Sequence, residues 1–270
     1  MQTPRASLLS LPAELRLHIA AYAFNQQPNA GLMKSNIPLS RGFPSRMQRR
    51  SGLCIDPGYS ASSNLALLLV CRQFYHDFKD IAFQFTRFII TANPAGTIAQ
   101  QPDQLLKRLR TLLIQCDSAS ITTWQTFPFN NSTIKLDELT LVLECIPHDL
   151  EMPRLLRRLK NIRVLKFIVS SQKYISSRLE VNRMCGGILR EDHYQRYDAP
   201  NAPNIEATWW EWSSSGKDNI FTLIAQPPRP IMEEQEYMRY VKPKVDRIMQ
   251  NMVRWSALPA HSIGESSDEG

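Results

Sequence analysis

Glycine is scarce in this chain, with ten residues in 270. Loops that cradle phosphates need glycine where the backbone must close on its ligand. Neither GxGxxG nor GxxxxGK[ST] occurs, and GxSxG and HExxH are also missing. Cysteine is sparse as well. Cys54, Cys71, Cys116, Cys145 and Cys185 are odd in number, widely spaced and without a CxxC pair. That argues against a disulfide framework and fits a reducing compartment. Cys145 and His148 have the spacing of two metal ligands, but no second pair completes a four-ligand site. No catalytic, metal or cofactor site is therefore expected, and the chain does not read as an enzyme. The longest apolar run, Leu65 to Cys71, is far below the ~20 residues that cross a bilayer. The opening MQTPRASLLSLPAELR has no sustained apolar core. No membrane partner and no secretory signal are expected, and the cytoplasm or the nucleus is the expected location. No excess of acid is present either. The formal charge is +7, although the final GESSDEG carries three acids and no base. A modestly basic surface suits acidic partners or nucleic acid without identifying either. No nucleic-acid-binding motif accompanies it, so nucleic acid is not the expected partner.

What is present begins with two helical stretches. In LPAELRLHIAAYAF, residues 11–24, Pro12 suits a helix start and Glu14 sits near the positive end of the dipole. Leu15, Ile19 and Tyr22 or Ala23 follow at helical spacing as one apolar face, with Leu8 and Leu11 placed to pack back onto it. In LALLLVCRQFYHDF and its continuation, Leu67, Val70, Cys71, Phe74, Phe78, Ile81 and Phe85 step by three or four on one side. Asn64 is the expected N-cap. Each fully buried apolar group contributes roughly 1.5–3 kcal/mol, so the second stripe requires cover, and the first helix is the nearest source. Residues 25–64 lie between them, rich in Ser, Pro, Asn, Gly and Arg, with four arginines in RGFPSRMQRR. They read as a mobile basic loop whose removal leaves stability nearly unchanged.

These two stretches, in this order, resemble an F-box. The closest pattern is that of the divergent F-box-like group found in many filamentous fungi, in which an LPxE(L/I)R helix precedes an LLxVCRQxYxE helix across a variable loop. Leu11, Pro12, Glu14, Ile19, Val70, Arg72 and Phe74 fall on the motif positions. The resemblance implies a unit that docks a Skp1-like adaptor of a cullin–RING ubiquitin ligase through those residues, and a remaining chain that recruits an unknown protein cargo. The long connector is a departure from ordinary F-boxes, as is the short strand expected in TRFIITAN where a third helix would stand. A scaffold or binding protein with no ligase partner is the alternative.

The middle of the chain repeats. LRTLLIQC at 109–116, LDELTLVL at 136–143 and IRVLKFIV at 162–169 align without gaps. The matched positions are Leu109/Leu112/Ile114, Leu136/Leu139/Leu141 and Ile162/Leu165/Phe167. The pattern resembles a degenerate leucine-rich repeat; a plain parallel sheet remains the other reading. QLLKRL and RLLRRL, before the first and third strands, read as short basic helices. Residues 206–226 read as a hairpin turning at SSSGKDN, with Trp210 and Trp212 on one face and Trp209 on the other. A terminal helix is expected from Ile231, striped by Met238, Val241, Val245, Ile248 and Met252, and kinked or broken at Pro243. EDHYQRYD gathers Glu191, Asp192, His193 and Asp198 and reads as a polar connector. Trp209, Arg157 and Arg158 are the candidate cargo surface.

The expected fold is thus α+β to α/β. An F-box-like helical hairpin with its inserted loop (25–64) fills residues 1–93. A repeat-like, largely parallel β platform with short helices, a C-terminal β-hairpin and a helix fills 94–256. An acidic tail, expected to be disordered, fills 257–270.

Overall fold

The computed structural model describes residues 8–35, 52–116, 132–143, 159, 161–169, 174–200, 202, 207–215, 220–229 and 231–256. A 3-10 turn (Leu8–Ser10) leads into α1 (Ala13–Phe24), and β1 (Leu32–Ser35) and β2 (Gly52–Ile55) follow. Next come α2 (Ala61–Leu65), a 3-10 turn (Ala66–Leu69), α3 (Arg72–Phe85) and β3 (Arg87–Ile90). The central part contains α4 (Pro94–Ala99), α5 (Asp103–Leu106), β4 (Thr111–Cys116), β5 (Leu136–Leu143) and β6 (Ile162–Val169). The last third holds α6 (Tyr174–His193), a π-helical turn (Tyr194–Asp198), β7 (Ala207–Ser215), β8 (Ile220–Arg229) and α7 (Glu234–Ser256).

The architecture is mixed α/β, as expected. A six-stranded sheet runs in the order β3-β4-β5-β6-β8-β7. Strands β3 to β6 are parallel, whereas β8 and β7 are antiparallel to their neighbours. The repeat alignment reappears as cross-strand register: Leu112 lies beside Leu139 and Leu139 beside Leu165, while Ile114 lies beside Leu141 and Leu141 beside Phe167. The short strand at TRFIITAN joins as β3, with Phe88 beside Leu112 and Ile90 beside Ile114.

Side chains alternate across a strand, so the sheet presents two apolar faces. The first carries Leu112, Ile114, Leu139, Leu141, Leu165, Phe167, Phe221 and Leu223, and packs with Ile98 of α4, Leu106 of α5, Met184 and Cys185 of α6, and Ile248 of α7. Trp210 lies against this core, as its alternation requires. Burial pushes the Cys185 thiol up to about 12, so it stays protonated and inert at neutral pH.

The second face corrects the reading of the connector. Leu113, Val142 and Ile168 are buried there beneath Leu53 of β2, with Leu32, Ile55, Ile89 and Ile220 around them. The two ends of the 25–64 segment are therefore structural, because β1 and β2 pair antiparallel and roof the sheet. Gly31 makes the entry into β1 possible. Its φ is +78, so the backbone favours glycine, and a Cβ there would lie 2.5 Å from Cδ1 of Ile89 and push that methyl aside.

The caps differ from expectation too. Asn64 lies inside α2, not at its start. Its amide donates to the Phe24 carbonyl at 3.3 Å and to Thr86 Oγ1 at 2.7 Å, so it ties the end of α1 to the end of α3. The helix start that counts is α3, capped by Cys71, whose Sγ accepts from the Phe74 N–H at 3.4 Å. Pro243 does not break α7.

Candidate partner-binding surface

The hairpin formed by α1 and α3 has a small core of Ala20, Phe24, Leu68, Phe78 and Ala82, with Leu65, Phe74, Ile81 and Phe83 packed against it. Phe74 meets Phe78 edge-on, with centroids 4.5 Å apart. Arg16 of α1 pairs with Asp77 of α3 across the hairpin. The expected inner faces are only partly those observed. Leu15, Ile19 and Tyr22 point outward, and Ala20 and Phe24 turn inward instead. The reason is compositional: α1 is apolar nearly all round, so periodicity alone does not select a buried side. Leu67, Val70 and Phe85 of the second stripe are also exposed. Residues 66–69 wind as a 3-10 turn with three residues per turn. That shifts the phase before α3 begins, and Leu68 takes the inward place.

The outcome is two sets of exposed large apolar side chains: Leu15, Ile19 and Tyr22 along one face of α1, and Leu67, Leu69 and Val70 in the turn before α3. Tyr22 is 86%, Leu69 84% and Val70 70% exposed. Of the seven motif residues, Pro12, Glu14, Ile19, Val70 and Arg72 are exposed and Leu11 is half-buried. Phe74 belongs to the hairpin core and supports the surface from within. Sequence reasoning missed Leu69 and Tyr22 as surface residues. Leu69 sits in the longest apolar run, where burial is the natural expectation.

This hairpin is clasped to the sheet by Arg87, the first residue of β3. Its guanidinium donates to the carbonyls of Pro28 and Ala30, both at 2.9 Å, and to Glu138 Oε1 at 2.7 Å. Its backbone N–H donates to Gln26 Oε1 at 2.9 Å. The Tyr59 hydroxyl reaches the Arg87 carbonyl at 2.6 Å and Gln26 Oε1 at 3.0 Å. Desolvation raises the Tyr59 phenol above its ordinary value. Glu138 is further held by Lys166 and by the Thr140 hydroxyl. Lys166, inside β6, thus spends its charge on a structural pair.

A second polar group joins α6 to α7. Asp192 Oδ2 accepts from the Tyr237 hydroxyl at 2.8 Å and from Arg196 Nε at 3.0 Å. His193 lies between Asp198 at 3.2 Å and Glu234 at 3.1 Å. The Tyr197 hydroxyl donates to the Met232 carbonyl at 2.9 Å. Burial, then the Asp192 charge, raises the Tyr237 phenol well above its usual value. Asp192 is committed to this helix junction and Asp198 to His193, rather than left in an open connector. Among the described residues no cluster of His, Cys, Asp and Glu is arranged to hold a metal, and no helix is long and apolar enough to cross a membrane. Of the candidate cargo residues, Arg157, Arg158 and the Trp209 side chain lie outside what is described; the Trp209 backbone pairs with Gln226 in the β7–β8 hairpin. No protein-family model, curated protein or solved structure matches the chain.

Proposed function

We propose that this chain is a non-catalytic interaction subunit whose α1–α3 surface docks a Skp1-like adaptor, while its sheet carries a protein cargo toward a cullin-type ubiquitin ligase. The observation that supports this most is the exposure of Leu15, Ile19 and Tyr22 on α1 and of Leu69 and Val70 before α3. Exposed large apolar side chains are the material of an interface, and here they stand in the two helical stretches that carry the F-box-like pattern.

The test is capture of purified Skp1, followed by calorimetry. Wild type is expected to bind at micromolar concentration or tighter. Leu69→Asp with Val70→Asp should abolish capture with the circular dichroism spectrum unchanged, because both positions are exposed. Leu11→Ala with Pro12→Ala should weaken it by about 1–3 kcal/mol, as for truncated interface anchors. If wild type captures no Skp1, the ligase reading falls, and a scaffold without a ligase partner takes its place.

A further inference from the structure

α6 and α7 run side by side, and a groove of about 720 Å³ opens between them. One wall is the stripe Met238, Val241, Val245, Ile248 and Met252 of α7. Its spacing alternates three and four, the seam of a helix that packs against another helix. Only Val241 and Ile248 are buried, whereas Met238 and Val245 are exposed. The stripe is therefore half used.

The opposite wall, on α6, is built differently. Arg183, Gly186, Gly187 and Arg190 line it in order. Glycine inside a helix costs backbone entropy, so a retained one calls for a reason. Close packing is not that reason at Gly186, where an added Cβ would meet nothing within 4 Å. The missing side chain leaves a shelf where another backbone can come close. Arg183 and Arg190 flank it on the same helix face, seven residues and ~10 Å apart. Both are exposed. Of the acids near this groove, Asp198 and Glu234 engage His193 at its far end, and Asp192 is bonded by Tyr237 and Arg196.

We infer that the α6–α7 groove is a docking site for an acidic amphipathic helix of a partner protein. The α7 seam supplies the apolar contact, the glycine shelf admits the incoming backbone, and Arg183 and Arg190 meet carboxylates two turns apart on the visitor. Methionines at the seam add adaptable contact. This site is separate from the α1–α3 surface and does not depend on its reading.

The probe is a fluorescein-labelled synthetic helix of about three heptads, with leucines at the seam and glutamates flanking them. A control peptide carries lysines in place of the glutamates. Fluorescence anisotropy with the full chain should show saturable binding of the acidic peptide and none of the basic one. Gly186→Leu, which fills the shelf with a better helix former, should weaken binding about tenfold or more. Arg183→Glu with Arg190→Glu should do the same, and Val245→Glu gives a second reading from the opposite wall. Circular dichroism and thermal melting check that each variant is folded, and Skp1 capture should be unchanged throughout. Absence of saturation, equal binding of the lysine peptide, or equal binding by all the variants would overturn the proposal. So would a concentration-dependent dimer that Gly186→Leu dissolves, since the occupant would then be a second copy of this chain.

Discussion

Arg87 donates to two carbonyls and a carboxylate from a buried position. Removing a buried charged donor leaves its acceptors short of a partner and costs about 1–3 kcal/mol for each carbonyl left unsatisfied, although Glu138 keeps Lys166. Arg87→Ala should lower unfolding free energy in urea by that order, because Pro28 and Ala30 lose their donor. Arg163→Ala makes the contrast. Its contact to Asp137 is 3.8 Å long with both side chains mostly exposed, and the expected loss is at most ~1 kcal/mol. Tyr237 carries a pH dependence with a definite sign. The unfolded phenol titrates near its ordinary value of about 10, while the folded one is held above it by burial and by Asp192. Above that pH the native state keeps a proton that the unfolded state gives up, so stability falls as pH rises. Tyr237→Phe should flatten this decline in melts taken across the alkaline range. None of these residues was legible as a contact in the sequence. Arg87 and Glu138 stand 51 residues apart, and an arginine opening a short strand gives no sign of burial.

At the scale of elements, the strands were readable and the connector was not. Leu112, Leu139 and Leu165 share a repeat position and become neighbours in the sheet, since parallel strands of one pattern bury the same face. Residues 32–35 and 52–55 lack a run long enough to signal a strand, and their pairing depends on the sheet beneath. The roof they form makes a clear expectation. Leu53→Ala should destabilise by about 2–5 kcal/mol. Replacing residues 30–60 with a Gly/Ser linker should cost more, because Leu113, Val142 and Ile168 would meet water. A melting temperature unchanged by that replacement would show that the roof contributes nothing. In the helical hairpin, Phe78→Ala should cost roughly 3–5 kcal/mol, while Tyr22→Ala, at an exposed position, should leave stability nearly unaltered. Equal losses at both would mean that α1 is turned the other way.

For the whole molecule, the hairpin and the sheet are held as one body by a few named links: Arg87, Tyr59, Gln26 and the close approach of Gly31 to Ile89. Hydrogen exchange should show the amides of α1 and α3 opening together with those of β4 and β5 in wild type, and earlier than the sheet in Arg87→Ala. Fold class could be read from the sequence because alternating strands and helices leave a strong pattern; the seat of the hairpin could not, because polar links of long sequence separation set it. The strand order also has a consequence in time. Strands β4, β5 and β6 each pair with the strand before them in sequence, so each can dock as it leaves the ribosome. Their first apolar face, however, is covered in part by α6 and α7 and extended by β8, all of which are made later. During synthesis, Leu139, Leu141, Leu165 and Phe167 therefore spend an interval without their final cover. A nascent chain stalled before residue 174 is a client for chaperones, and a truncation at that point should aggregate even though four strands of its sheet are already made.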